Sequence, residues 1–298
     1  MHNKKENIVI VGAGLTGLAL CNLLKGTNTS LSVLDSQPKS FYKKIDSDRN
    51  IVLSNTSMLI FKNIGIWEEI KKYCAEVKNI HISKKNIFGS TLVKSSDENL
   101  DALGYQIPIK HLIKILYKNI ESEENIKFLN EARVINVKQG ETVEIKYIQD
   151  SYENNIDSKS VIFSTGSTDN LFKDIFLEKV QKDYCQNAVT CEILSEKYNS
   201  ETAFERFTSR GILGLIPRKE NSWTLIYSTD QEESKIIENL DISSTKNYFQ
   251  KLIGDKCGKF IEVKNIKIYP LKMKYYKDFV NKNIFLLGDA AHTLHPIA

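Results

Sequence analysis

The chain has no run of eighteen uninterrupted apolar residues, so no stretch of it reads as a membrane-spanning helix. Arginine is scarce: five against 36 lysines, scattered beside abundant Asn and Ile. With a net charge of only +4 over 298 residues, this is compositional bias and not a clustered phosphate-reading surface. Nucleic acid is therefore not an expected partner. Cysteine is sparse as well, and Cys21, Cys74, Cys185, Cys191 and Cys257 are odd in number, widely spaced and free of any CxxC or Cys/His pattern. They read as free thiols of a reducing compartment. His292 and His295 stand three apart, but Pro296 follows at once and no third ligand is in view, so no metal is expected. Internal repeats, low-complexity tracts and Pro/Ser linkers are also missing.

What is present is an ordinary globular composition, 41% hydrophobic and 26% charged, long enough for two domains. Its organising stretch is NIVIVGAGLTG, Asn7 to Gly17. Ile8 to Val11 have the length and β-branching of a buried parallel strand. Gly12, Gly14 and Gly17 follow at the G-x-G-x-x-G spacing, with Ala13 between the first two, and an apolar, helix-tolerant run comes next. The first glycine makes the tight turn, the second lets backbone approach a pyrophosphate, and the third lets helix pack on strand. The phosphates then meet a helix N-terminus. A second apolar strand, Leu31 to Leu34, ends in Asp35, eighteen residues after Gly17, where an acidic side chain meets a ribose hydroxyl. A signal peptide is the competing reading of Lys4-Lys5 and the apolar run. It fails because three glycines interrupt the run and no small-residue cleavage site follows.

Further along, Ser36 to Arg49 reads as polar and irregular, and Ile51 to Ile70 as a helix interrupted at Gly65. Ile80 to Val93 alternates like strands, Tyr105 to Pro108 reads as a connector, and Leu112 to Ile120 as an amphipathic helix. Ala132 to Val137 and Thr142 to Ile148 flank Gln139-Gly140 as a hairpin. Ser160 to Phe163 is a buried strand ending at Ser164-Thr165-Gly166. From Tyr184 to Tyr227, strand follows strand without helical crossovers, which marks a different domain. Gln231 to Leu252 is helical again, and Ile266 to Met273 is a strand. The last strand, Asn283 to Leu287, stops at Gly288, which leaves Asp289 at a strand's carboxyl end, where open α/β sheets bind ligands.

The pair GxGxxG and GDAAHxxxP resembles the class A FAD-dependent aromatic hydroxylases of the 4-hydroxybenzoate hydroxylase type. Within them the chain is most similar to the ubiquinone-biosynthesis hydroxylases, on their 2-octaprenyl-6-methoxyphenol hydroxylase branch. The passages that carry this are DSDRNIVLSNTSMLIFKNIGIW (Asp46 to Trp67), NIHISKKNIFGSTL (Asn79 to Leu92), ALGY (Ala102 to Tyr105), AFERFTSRGILGLIP (Ala203 to Pro217) and GDAAHTLHPIA (Gly288 to Ala298).

The resemblance implies an α/β fold, with a Rossmann-like FAD-binding domain and a β-sheet-rich substrate domain. The expected FAD domain comprises residues 1–73, 100–171 and 275–298, and the substrate domain 74–99 and 172–274. It implies a monooxygenase in which NAD(P)H reduces FAD, O₂ forms a flavin C4a-hydroperoxide, and a polyprenylated phenol of ubiquinone biosynthesis is hydroxylated. Gly12, Ala13, Gly14 and Gly17 would hold the pyrophosphate, Asp35 the adenosine ribose, and Gly288 and Asp289 the ribityl chain. Arg49 and Pro296 would lie near the flavin. Lys110 stands where the family has an Arg, and Phe204 to Phe207 with Leu213 to Pro217 would wall the substrate pocket. Thr165 stands where many relatives carry Asp, and Asp169 where they carry Ser. Relatives continue past the position of Ala298 with Gly-Gln-Gly-x-Asn, so the chain reads as C-terminally truncated. A cytoplasmic place peripheral to the inner membrane, and a quinone-biosynthesis protein assembly as partner, are further implications. A non-catalytic partner in quinone biosynthesis, or another flavin oxidoreductase on the same fold, remain the alternatives. A halogenase would carry W-x-W-x-I-P, and neither Trp67 nor Trp223 sits in one.

Overall fold

Ile8 to Val11 form the expected strand, with Val9 and Ile10 fully buried, because helices or loops cover both faces of a parallel sheet. The computed structural model describes residues 6–168, 170–219 and 221–294. The chain opens with β1 (Glu6–Val11), α1 (Leu15–Leu24), β2 (Leu31–Leu34) and α2 (Lys39–Lys44). Next come β3 (Asn50–Leu53), α3 (Asn55–Asn63), α4 (Trp67–Lys71), β4 (Ala75–Val77), β5 (Asn79–Lys84), β6 (Ser90–Lys94) and β7 (Gly104–Pro108). Then follow α5 (Ile109–Lys118), β8 (Ile126–Leu129), β9 (Arg133–Gln139), β10 (Val143–Gln149), β11 (Tyr152–Phe163) and β12 (Lys179–Ser195). The rest is β13 (Thr202–Phe207), β14 (Gly211–Pro217), β15 (Trp223–Asp230), α6 (Gln231–Glu238), α7 (Ile242–Ile253) and β16 (Phe260–Tyr276). Short strands β17 (Val280–Asn281), β18 (Ile284–Leu286) and β19 (His292–Thr293) close the described chain.

Two compact units divide these elements. The first comprises Met1–Asp46, Leu112–Lys182 and Met273–His295. Its sheet has the order β17-β18-β11-β1-β2-β8, and β1 pairs in parallel with β2 on one side and β11 on the other. Strand order therefore reverses at β1, which makes its carboxyl end the topological switch point. The β9–β10 hairpin adds antiparallel strands beyond β11. The apolar core is built on Val9, Val11, Val161, Phe163, Phe172, Tyr276, Ile284 and Leu286.

The second unit comprises Ser47–His111 and Asp183–Lys272. Its large sheet follows the order β16-β12-β15-β14-β13-β5-β6, and its small antiparallel sheet is β3-β7-β4. Val189, Leu213, Leu215, Trp223, Leu225 and Tyr227 bury one face of the large sheet together with Ile237 of α6 and Phe249 of α7. Asp230 and Asp241 accept N–H bonds at the starts of α6 and α7, from Glu233 and Ser244, both at 2.7 Å.

Residues 47–73 and 100–111 lie in the second unit, where β3 pairs with β7. Three expectations are corrected. Tyr105 to Pro108 is no connector: β7 is the middle strand of three, with Tyr105 and Ile107 buried. The polar stretch after Asp35 holds α2, whose Tyr42 stacks on Tyr117 at 4.6 Å. The stretch from Ile51 starts as a strand, and its helix begins only at Asn55 and breaks at Gly65, where φ is +78°.

Candidate functional site

At the carboxyl end of β1, Gly12 turns the chain with φ +100°, a conformation that L side chains rarely adopt. A β-carbon on Gly12 would also lie 2.7 Å from the Ser164 carbonyl oxygen. Ser164 in turn donates its hydroxyl to the Gly12 carbonyl at 2.7 Å, which ties the turn to the end of β11. Gly17 is the closest approach of helix to strand, since a β-carbon there would run into the Gly12 carbonyl oxygen. Gly14 differs from both. Nothing lies within 4 Å of where its β-carbon would be, and no side chain caps α1, whose N-cap it is.

That open side belongs to a cavity of about 940 Å³ in the first unit, walled by the Gly12–Gly14 turn, the residues after β2, the start of β9 and Ser164 to Gly166. Asp35 stands in this wall. Its carboxylate accepts the Ala13 N–H at 2.5 Å and the Gln37 N–H at 2.8 Å, so it is fixed beside the glycine turn. Behind it Tyr42 is buried, and burial first, then the charge of Asp35, pushes its hydroxyl far above the usual tyrosine range. Thr165 and Thr168 exchange hydroxyl-to-carbonyl bonds at 3.1 and 3.0 Å and shape the opposite wall.

The Gly288–Asp289 turn belongs to the same unit. Gly288 has φ +64°, and a β-carbon on it would lie 2.7 Å from Oγ1 of Thr16 in α1. Ala290 and Ala291 anchor the turn in the core, which leaves Asp289 exposed. Gly12, Ala13, Gly14, Gly17, Asp35, Gly288 and Asp289 are thereby brought together. Arg49 and Lys110 belong to the second unit, and Pro296 and Asp169 lie outside the described residues. The residues of the first unit fit a dinucleotide cofactor: an open glycine face, an uncapped helix start for phosphates, and a fixed carboxylate for a ribose.

The second unit holds a cavity of about 430 Å³ on the sheet face opposite α6 and α7. Alternation along β15 explains the position: Trp223, Leu225 and Tyr227 point into the core, and Thr224 and Ile226 line the cavity. Ala188, Thr190 and Glu192 of β12 join them, with Asp48, Arg49 and Asn50 as a further wall. Glu192 and Arg218 form an ion pair at 2.7 Å, and Arg218 is only 11% exposed. A smaller cavity of about 210 Å³ shares Asn50 and Arg218 and is lined by Lys72, His111 and Lys219. Tyr73 stacks on His111 there at 4.1 Å.

Phe204 to Phe207 and Leu213 to Pro217, expected as a pocket wall, do not line this cavity. Leu213 and Leu215 are core residues, and the cavity lies on β12, β15 and β16. Glu192 and Arg218 were not anticipated from the sequence. The alternation of β12 marks Glu192 as sharing a face with Thr190, but no local motif singles out either member of the pair.

A family model described as the FAD binding domain matches residues 5–298. The chain is 23% identical over 292 residues to an uncharacterized protein of Synechocystis, covering 98% of this chain and 70% of that one. It is 22% identical over 299 residues to the ubiquinone hydroxylase UbiM of Neisseria meningitidis, covering 98% of this chain and 64% of the relative. Among solved structures, p-nitrophenol 4-monooxygenase PnpA of Pseudomonas putida superposes with a TM-score of 0.79 at 15% identity, over 98% of this chain and 74% of that one. The aromatic-hydroxylase fold read from the motifs is borne out.

Proposed function

This chain belongs to the FAD binding domain family, and from that premise we propose that it is a monooxygenase hydroxylating the ring of a polyprenylated phenol in ubiquinone biosynthesis. The observation that carries the reading is the meeting of two ligand loops in one unit, the Gly12–Gly17 turn and the Gly288–Asp289 turn, in contact through Thr16. The substrate class is suggested by the name of the Neisseria relative, a ubiquinone hydroxylase.

In this reading the N–H groups of Gly14 and the start of α1 take the pyrophosphate of FAD, since those of Gly12 and Ala13 already donate to Leu34 and Asp35. Asp35 keeps its position by the Ala13 bond and accepts a hydroxyl of the adenosine ribose. Asp289, exposed beside α1, accepts a ribityl hydroxyl, and Arg49, Lys110 and Pro296 serve the flavin end. Bound FAD supplies the redox chemistry, taking electrons from NAD(P)H and activating O₂ for transfer of one oxygen atom to the ring. The 430 Å³ cavity receives the ring. Arg218, held by Glu192, stabilises the ring oxygen as it gains negative charge, and Ala188, Ile226 and Leu271 keep water from it. The apolar tail places this substrate in a membrane, so the protein works peripherally at a membrane surface, within a quinone-biosynthesis assembly.

The test is direct. The purified chain, supplied with FAD, NAD(P)H and a short-chain prenylphenol under air, should yield a product heavier by one oxygen atom. Flavin binding without any oxygenated product would defeat the substrate reading. Failure to retain flavin would defeat the site assignment.

A further inference from the structure

The β5–β6 hairpin carries an unusual end. From Asn79 to Lys94 it contains Lys84, Lys85, Lys94 and His81, and no acidic residue. At its tip, Phe88 is fully exposed and Ile87 is 57% exposed. Two adjacent large apolar side chains in water do nothing for folding, since hydrophobic stabilisation comes only from area removed from water. Phe207, opposite Lys84 on β13, adds a third exposed apolar side chain.

The tip is held in place. β5 pairs in parallel with β13 through all six of its residues and antiparallel with β6. The Lys85 N–H donates to the Phe207 carbonyl at 2.8 Å, and Asn86 and Gly89 close the turn at φ +62° and +103°. The sheet therefore presents Ile87 and Phe88 outward, with Lys84 and Lys85 at their base.

We propose that this tip docks on an anionic lipid bilayer, Ile87 and Phe88 entering the boundary of headgroups and acyl chains and Lys84 and Lys85 facing lipid phosphates. Size selects the occupant. A stable protein interface covers about 800 Å² on each partner, far more than a two-residue tip offers. A bilayer needs only a few inserted apolar side chains and nearby cations. The hairpin's charge is complementary to an anionic surface. The inference deepens the reading of a membrane-held substrate, but it stands on the exposure and charge of this hairpin alone.

Vesicle co-sedimentation of the full chain tests it, without substrate or reductant, so hydroxylation can fail independently. Wild type should pellet with phosphatidylcholine vesicles containing phosphatidylglycerol and much less with phosphatidylcholine alone. Ile87→Ser with Phe88→Ser should weaken the partition about tenfold or more, with unchanged circular dichroism. Lys84→Ser with Lys85→Ser should erase the preference for phosphatidylglycerol. A single Phe88→Trp variant gives a second readout, a blue-shifted emission on anionic vesicles. Equal partition of wild type and the double serine variant would overturn the proposal, as would an unshifted Phe88→Trp emission. A change in oligomeric state on gel filtration without a change in partition would assign the tip to a second copy of the chain instead.

Discussion

Gly288 and Thr16 stand 272 residues apart in the chain, yet a β-carbon on Gly288 would lie 2.7 Å from the Thr16 hydroxyl oxygen. The close approach sets the Gly288 turn against α1, and the φ of +64° at Gly288 adds a backbone that other residues strain to adopt. Gly288→Ala should therefore cost roughly 1–3 kcal/mol in urea unfolding. Thr16→Ala in the same chain should recover the steric part and leave the backbone part. A double-mutant cycle reads the coupling, and strict additivity would show that the two loops do not press on each other.

Gly14 and Gly17 share a motif but not a constraint. A side chain at Gly14 enters open space, and one at Gly17 collides with the Gly12 carbonyl. Gly14→Val should keep the thermal unfolding midpoint close to wild type and lose flavin on gel filtration. Gly17→Val should lower the midpoint by several degrees, as a loss of a few kcal/mol does in a chain of this size. Equal effects on stability would mean that Gly14 faces protein and not cofactor.

Acid should weaken the second unit before its carboxylates titrate. Lys256 Nζ lies 3.0 Å from His81 Nε2, and burial first, then the Lys256 and Arg206 charges, holds the imidazole below its ordinary 6.5. The unfolded chain therefore binds the proton more readily, and stability falls as pH drops below about 6.5. His81→Gln should flatten this limb between neutral pH and about 5.5, where histidine alone titrates among ordinary side chains. An unchanged slope in urea midpoints would assign the acid sensitivity elsewhere.

The glycine turn, β1, β2, the β9–β10 hairpin and the Gly288 turn were all legible because each is encoded locally, by φ-specific residues or by a run of one period. β7 was not legible. Gly104 to Pro108 is too short to show alternation, and only its pairing with β3 and β4 makes it a strand. β8 gives a similarly weak signal, four residues whose place beside β2 is a tertiary fact. The cavity face of the large sheet escaped notice for another reason. Period-two alternation separates the two faces of β14 and β15 but does not say which one carries helices. The Glu192–Arg218 pair joins residues 26 apart in sequence, and no local rule connects them.

The nucleotide-type sheet takes its central strand from the beginning of the chain and β18 from Ile284 onward. On a ribosome adding about 5–20 residues per second, roughly 14–55 s separate β1 from β18. Every residue of the second unit's large and small sheets emerges in that interval. The second unit can therefore mature while β11 still presents an unpaired edge of the kind that recruits foreign strands. Synthesis order makes the cofactor-type sheet the late and vulnerable partner, so slow elongation between residues 163 and 284 lengthens the period in which that edge needs protection.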